Sequence, residues 1–352
     1  MAYTTIDNPE LYFQAVLYTG NQNTQAITFD GSEDMQPDFV WIKQRADDGY
    51  SHELFDVVRG VTKYITSDTN AAEATGSTTL TAFGSDGFTL GADTVVNKNT
   101  KTYVSWNWKA GTSFSNDASS TSVGTIDSSG SINTAAGISI LTYTGTGSAG
   151  TIAHGLGAVP KWIFTKDTDN SNAPYVYLEG AGNTHGLRLS TTDVKEDDNT
   201  LWNDTTPTSS VFSVGSNTGS NRSSNPIIAY IWSEIKGFSK FGSYIGNGNA
   251  NGTFAFLGFK PAFVMVRDPG NAENWLMYDN KRPGYNLNNN HLFANDNAVE
   301  TASSANTMDL LSNGFKVRSS NNGLNRSGAT FLYMAFAESP LVNSNKIPNN
   351  AR

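Results

Sequence analysis

The sequence predicts an all-β protein: antiparallel β-sandwiches of one repeat family, three in tandem. Three observations carry that prediction. A strand pattern occurs three times, as Pro37-Asp38-Phe39-Val40-Trp41-Ile42-Lys43, Pro160-Lys161-Trp162-Ile163-Phe164-Thr165-Lys166 and Pro261-Ala262-Phe263-Val264-Met265-Val266-Arg267. A Tyr-x-Gly turn precedes each, at Tyr18-Thr19-Gly20, Tyr143-Thr144-Gly145 and Tyr244-Ile245-Gly246. An aromatic strand follows each, at Tyr103–Trp108, Ile228–Trp232 and Tyr333–Phe336. The repeat is on the order of 100 residues, the size of a small sandwich and too long for a solenoid unit.

In a strand, alternate side chains face opposite sides. Phe39, Trp41 and Lys43 therefore share one face, with Val40 and Ile42 on the other. Both faces are apolar in all three copies, which predicts a central strand covered on both sides. The leading proline sits where no ladder donor is needed. The closing cation is expected to carry its charge to the rim while its stem covers apolar surface.

Taken in order, residues 1–12 form an arm in which Asp7-Asn8-Pro9-Glu10 caps one helical turn with Pro9 at its first position. The first repeat spans residues 13–111; Ala26-Ile27-Thr28-Phe29 alternates as a strand, and Asp30-Gly31 and Asp86-Gly87 are turn signals. Residues 112–137 are almost entirely small and polar and predict a linker. The second repeat spans residues 138–237, with a long acidic loop at Asp193–Asp204. The third spans residues 238–340, so close behind that the two should pack together. Residues 341–352 form a polar tail. No helical periodicity persists beyond about three turns.

Composition removes several classes of function. The chain of 352 residues has 38 % hydrophobic and 16 % charged residues and no cysteine, which excludes disulfides and thiolate metal sites. A net charge of −9 argues against a nucleic-acid backbone or an anionic membrane as partner. The first residues have neither the basic end nor the apolar run of a signal peptide, and no stretch nears the roughly 20 apolar residues of a membrane span. A soluble protein made in a cytoplasm is expected.

Chemistry-bearing patterns are sparse. Gly145-Thr146-Gly147-Ser148-Ala149-Gly150 has the letters of a dinucleotide fingerprint, but the helix that must follow is missing, so it reads as the repeat's turn. The four histidines, His52, His154, His185 and His291, show no metal-ligand spacing. Asp167-x-Asp169-x-Ser171 has the start of a calcium loop without its glycine or distant glutamate. No nucleophile elbow is present, and the pairs Asp47-Asp48 and Asp197-Asp198 lie in polar loops. No catalytic residue, cofactor or metal is therefore assigned. Asp56-x-x-Arg59 and Asp279-x-x-Arg282 recur at equal spacing, each pair followed by a glycine. They suit either a polar rim that grips a ligand or an ion pair that pins a loop beneath a strand end. The second copy has no arginine near Glu179, which favours the ion pair. Most of the seven tryptophans belong to the core. Trp202, in the irregular Asn199–Asp204 loop, and then Trp275 are the candidates for exposed aromatics. Such a ring among Asn and Asp can stack on a sugar or join a protein interface.

The opening Ala2–Asp7, the Pro37 block, Leu54–Gly60, Ser85-Asp86-Gly87-Phe88, Tyr143–Pro160 and Phe241–Gly248 together resemble a β-sandwich repeat found in virion and tail proteins of marine bacteriophages. The resemblance covers nearly the whole chain. It implies lectin-like or SPRY-like sandwiches in a virion protein assembled in the host cytoplasm. It identifies no catalytic residues. The function expected from it is non-enzymatic: a tail appendage or fibre component that contacts the host surface through sandwich-end loops. A capsid decoration or tail cement protein is the alternative, and a glycan depolymerase a second one. The expected partners are other virion proteins through the termini and a host-surface glycan. A homotrimer is a further expectation, although no heptads enforce one.

Overall fold

The computed structural model describes residues 4–342. Its regular structure is mostly antiparallel β-sheet, and each repeat forms one large and one small sheet. Each large sheet contains an entry strand, a closing strand, an inner strand, a hairpin strand, a fourth strand and a short edge strand, in that spatial order. The entry strands are Phe13–Thr19, Ile138–Thr144 and Ser239–Ile245. The closing strands are Thr102–Trp108, Pro226–Ser233 and Thr330–Pro340. The inner strands are Phe39–Gln44, Pro160–Asp167 and Phe259–Arg267, the repeated pattern of the sequence. The hairpin strands are Glu53–Asp56, Tyr175–Leu178 and Leu276–Asp279, and the fourth strands Lys63–Thr66, His185–Arg188 and Asn290–Phe293.

The register is the same in all three copies. Phe39 pairs with Trp108 and Asp56, Trp162 with Trp232 and Leu178, and Phe263 with Phe336 and Asp279. These pairings define which residues correspond between copies.

The inner strand is covered on both sides, as its two apolar faces demand. Val40 and Ile42 pack under the small sheet of Gln25–Ile27, Leu80–Gly84 and Gly87–Leu90. Ile163 packs likewise under Gly150–Ala153 and Val211–Val214. The third small sheet is Phe254–Phe256, Met308–Leu311 and Gly314–Val317, whose Met308, Leu310, Phe315 and Val317 join Val264 and Val266. The opposite faces, Phe39 and Trp41, Trp162 and Phe164, and Phe263 and Met265, all enter one core common to the three repeats. The corresponding closing-strand residues Trp108, Trp232 and Phe336 touch one another there, with ring centroids 5.8, 5.4 and 6.4 Å apart. The repeats are thus arranged cyclically about a shared aromatic centre. A void there, lined by Phe39, Trp108, Tyr230 and Phe263 among others, measures about 10 Å³. That is at the limit for one water, and an apolar lining keeps it dry.

Two segments differ from the sequence expectation. Residues 112–137 are not a linker. Thr112–Asn116 and Ser128–Asn133 extend the second large sheet to eight strands, and Ile126 bridges to Ile152 beside the small sheet. Small polar composition hid these strands because few large apolar side chains, Ile126, Ile132 and Phe114, pack beneath them, and their ladder is made by the backbone. The closing cations Lys43, Lys166 and Arg267 do not reach a rim: all three are fully buried. The arm does cap a helical turn, with the Asn8 side chain accepting from the Glu10 amide and Pro9 in first position, and Ile6 enters the central core. The expected tail lies outside the described residues beyond position 342.

Because Trp232 touches the first and third repeats as well as its own, Trp232→Ala is expected to destabilise the whole chain by about 3–5 kcal/mol in one transition. Chemical denaturation followed at once by far-ultraviolet dichroism and tryptophan fluorescence checks this. Separate transitions for separate repeats would contradict a shared core.

Candidate functional site

Of the residues singled out in the sequence, Asp56, Arg59, Asp279, Arg282 and Trp275 lie at the junctions between repeats. At each junction, the segment after a fourth strand crosses to the end of the next copy's inner strand. Lys166 Nζ donates to the Asn70 carbonyl at 3.2 Å, Arg267 to that of Thr192 at 2.8 Å, and Lys43 to that of Asn297 at 3.1 Å. Three residues further on, the Glu73 amide donates to Thr168 O, that of Lys195 to Pro269 O and that of Glu300 to Arg45 O, at 2.7, 2.8 and 3.2 Å. First grips second, second grips third and third grips first, so the ring closes. Burial lowers Lys43 and Lys166 to about 8 and Arg267 to about 10, while nearby carboxylates, Asp68, Asp167 and Asp268 foremost, oppose the shift.

Asp56 and Arg59 belong to the first junction. Arg59 Nε donates to Asp56 Oδ2 at 2.5 Å and its terminal nitrogen to Leu54 O at 2.7 Å. Tyr230, on the closing strand of the second repeat, donates its hydroxyl to Asp56 Oδ2 at 2.7 Å and accepts from Arg59 at 2.9 Å. Asp279 and Arg282 repeat the pattern at the third junction. Arg282 Nε donates to Asp279 Oδ2 at 2.6 Å, and Trp106 Nε1 of the first repeat donates to the same oxygen at 3.1 Å. At the second junction, Leu178 occupies the aspartate position and Met334 the position of Tyr230 and Trp106. The pair occurs only where the next copy presents a donor, and apolar residues meet elsewhere. These two ion pairs are structural pins with no ligand-facing side.

Both tryptophan candidates are corrected by the structure. Trp202 is 1 % exposed: Asp198 caps the short helix Asn199–Trp202, which turns the indole onto Tyr177 in the second repeat's own core. Trp275 is also 1 % exposed and donates from Nε1 to the Arg188 carbonyl at 3.1 Å across the second junction. Local polarity misled in both cases, because the polar neighbours face outward around a buried ring.

The glycine-rich turns are filled from within. Asn97, Asn221 and Asn325 are fully buried. Each accepts from the turn amide of Asn21, Thr146 or Asn247 at 2.9, 2.8 and 2.8 Å. Each then donates to the carbonyl six residues before it, Gly91, Gly215 or Ser319, at 2.7, 2.6 and 2.6 Å. The turn tyrosines Tyr18, Tyr143 and Tyr244 donate to the carbonyl just before each asparagine. A Cβ at Gly20, Gly145 or Gly246 would strike the carbonyl of Lys98, Arg222 or Arg326. The amide of Thr146 that a pyrophosphate would need is already spent. Sequence reading missed this asparagine, although the Asp93/Asn217/Asn321 cap four residues before it was a visible signal. Asp167 is equally saturated, by the amides of Asp169 and Asn170, by Asn172 and Asn225, and by Arg222, so it has no lone pair free for a cation. No group of three or more potential metal ligands occurs among the described residues.

One place is built differently. The connection between hairpin and fourth strands after the Arg59 position comprises residues 60–62 in the first copy and 182–184 in the second, but 283–289 in the third. The longer loop carries Tyr285, 77 % exposed, the most exposed large apolar side chain described. It walls a cleft of about 200 Å³ with Lys260, Asn280, Asn286, Asn288 and Glu338. Asn288 donates to Asp279 O at 2.8 Å and Asn280 to Glu338 Oε2 at 3.0 Å, which fixes both amides. Their Oδ1 atoms are then buried acceptors without a partner among the described residues.

The fold is therefore a closed ring of three sandwich repeats, the third of which carries a polar cleft walled by its longer loop. Residues 8–340 match a single family profile described as a domain of unknown function (DUF7483), and the chain belongs to that family. No curated protein matches the chain.

Removing Asp56 leaves the buried Arg59 with the Leu54 carbonyl, the Tyr230 hydroxyl and only a longer, 3.4 Å contact to a carboxylate, that of Glu73. Asp56→Ala is expected to cost about 3–5 kcal/mol and Tyr230→Phe about 1–2 kcal/mol, as read from denaturant midpoints. Equal costs would show that the aspartate does not hold the junction.

His154 gives a pH test. It is buried, with Nε2 bonded to Thr208 O at 3.1 Å and Nδ1 accepting from the Leu156 amide at 3.3 Å, and burial lowers it to about 4. Between pH 6.5 and 4 the unfolded chain binds this proton and the folded one does not, so stability falls as pH falls, by up to about 3 kcal/mol. Asp38, raised to about 6 by burial, acts in the opposite sense, so the comparison is between the wild type and His154→Gln. The variant is expected to lose that part of the acid slope; parallel pH–stability curves would refute it.

Proposed function

We propose that this chain is a non-enzymatic virion protein of a tailed bacteriophage, a tail appendage or fibre component that contacts the host surface. The resemblance of its repeats to phage virion sandwiches supports the class. The observation that carries the recognition role is the seven-residue loop, 283–289, placed on one copy alone. Loops on rigid scaffolds commonly bear binding surfaces. The polar pairs that suggested a second use, Asp56 with Arg59 and Asp279 with Arg282, are spent inside the junctions. A weak contact at each copy, multiplied over a particle, would give firm attachment.

Gold-labelled antibody against the purified chain, applied to intact particles, tests this reading. Label is expected at the tail. Label over the head would replace it with a decoration role, and unlabelled particles with label only in the lysate would remove the virion role altogether.

A further inference from the structure

We infer that the open side of the third sandwich is a docking site for another protein, which adds an extended segment bearing an acidic residue parallel to Phe254–Phe256. The site stands apart from the loop at 283–289 and from the host-contact reading.

The second repeat shows what fills such an opening. Each sandwich has a side where the entry strand and the first strand of the small sheet both run as edges. In the second repeat the chain seals that side itself. Thr125 and Ile126 donate their amides to Thr151 O at 2.8 and 3.1 Å, and Ile126 bridges Ile152 in the parallel sense. The Ser128 hydroxyl then donates to Ala153 O at 2.8 Å, and Ser129 pairs with Thr142 on the entry strand. In the third repeat, among the described residues, Phe254–Phe256 pairs only with Gly314–Val317, and Ser239–Ile245 only with Thr330–Pro340. Ala255 pairs with Phe315 as Ile152 does with Phe212, so the Phe254 carbonyl stands where Thr151 O accepts those amides. An unpaired edge is a template for a further strand, and strand addition is a general mode of peptide recognition.

The side chains define the segment that fits. Phe254 and Phe256 are 40 and 52 % exposed, while Ala255 faces the core. By register, the corresponding residues are Ala26 and Thr28 in the first copy and Thr151 and Ala153 in the second. Lys240 Nζ lies over the Phe256 ring at 5.6 Å, and Lys316 sits opposite Phe254. Asp309, across the sheet from Lys316, is already held by Arg318 at 2.5 Å. In a chain of net charge −9, this basic and aromatic strip favours an acidic partner. It disfavours a second molecule of the same chain, which would bring lysine to lysine. Position follows from the second repeat. Ile126 shares the inward face with Ile152, so Thr125 and Asp127 flank Thr151 and Ala153 on the outward face. An acid at the Asp127 position therefore lies beside Phe256 and Lys240, and an apolar side chain at the Thr125 position beside Phe254. A Cβ at Gly150 would meet Ile126 at 2.8 Å, and Thr253 takes the place of that glycine, so the residue between the two must be small.

Fluorescence anisotropy on the full chain at low ionic strength provides the test. The labelled probe is a peptide of residues 123–130 of this sequence, carrying Thr125→Phe and Ile126→Ala; a charge-reversed form adds Asp127→Lys. The acidic peptide is expected to bind with a dissociation constant below about 1 mM, and the reversed one at least about tenfold more weakly. Lys240→Glu in the chain is expected to invert that order with the thermal midpoint unchanged. Failure of both peptides to bind, equal binding, or an order that Lys240→Glu leaves as it was would each overturn the assignment. So would a concentration-dependent dimer in sedimentation that Phe256→Asp dissolves, since the edge would then belong to a second molecule of this chain.

Discussion

The structure depends on one constraint: the inner strand of each repeat is apolar on both faces, and a two-layer sandwich covers only one of them. The small sheet satisfies Val40 and Ile42, but Phe39 and Trp41 point the other way. Fully burying an aromatic side chain is worth about 1.5–3 kcal/mol, so several such rings left in water would outweigh the net stability of a small domain. The solution is a third layer, and the chain supplies it from its own other copies. Three aromatic faces meet, and Trp108, Trp232 and Phe336 close the centre. A cyclic arrangement of a kind often built from separate subunits is here built within one chain.

Closing the ring creates junctions, and the junctions account for the polar residues. Large sheets that converge on a common centre bring strand ends and crossing segments into contact away from water. Backbone groups there must find partners. The cation ending each inner strand meets that need by donating to a carbonyl of the preceding copy. Lysine serves at two junctions and arginine at one, where Arg267 also lies over the Trp275 ring at 5.6 Å. The same logic explains the unequal Asp-x-x-Arg pairs. A carboxylate is retained beneath the hydroxyl of Tyr230 and the indole N–H of Trp106, and leucine replaces it opposite Met334. A buried charge with only an apolar neighbour would be left unpaired.

The sequence made legible whatever follows from periodicity. Alternation in Phe39–Lys43 located the doubly covered strand and both its faces. The recurring Pro-x-aromatic pattern, with a Tyr-x-Gly turn before it, located its three copies, and Asn8-Pro9 the one cap on the arm. What stayed hidden depends on the ring. Nothing local distinguishes a lysine that reaches water from Lys43, which meets Asn297 across more than two hundred residues of chain. Trp202 and Trp275 sit among polar residues and looked exposed, because sequence shows neighbours along the chain and not the layer above. The strands of residues 112–137 escaped notice because they pair through backbone at a sheet edge, where small polar side chains suffice. Tyr285 was passed over for the same reason in reverse: its loop reads as turn chemistry, and its significance appears only once the copies are superposed by register.

Register also shows why the third copy could be elaborated there. The turn after the hairpin strand lies at the surface, where residues 284–287 of the longer loop are exposed. Yet the insertion is not independent of the ring. Asn288 bonds the carbonyl of Asp279, whose carboxylate receives both Arg282 and Trp106. The cleft floor and the junction between third and first repeats therefore share one residue. That residue is held from the core side by a buried ion pair and an indole, and from the cleft side by an amide. Fixing it from the core side fixes the position of Asn288, and with it the floor of the cleft. A surface loop seven residues long without such anchors would keep the freedom of its side chains, each of which costs about 0.5–1.5 kcal/mol to immobilise. Here the scaffold has borne that cost already, through the same contacts that close the ring.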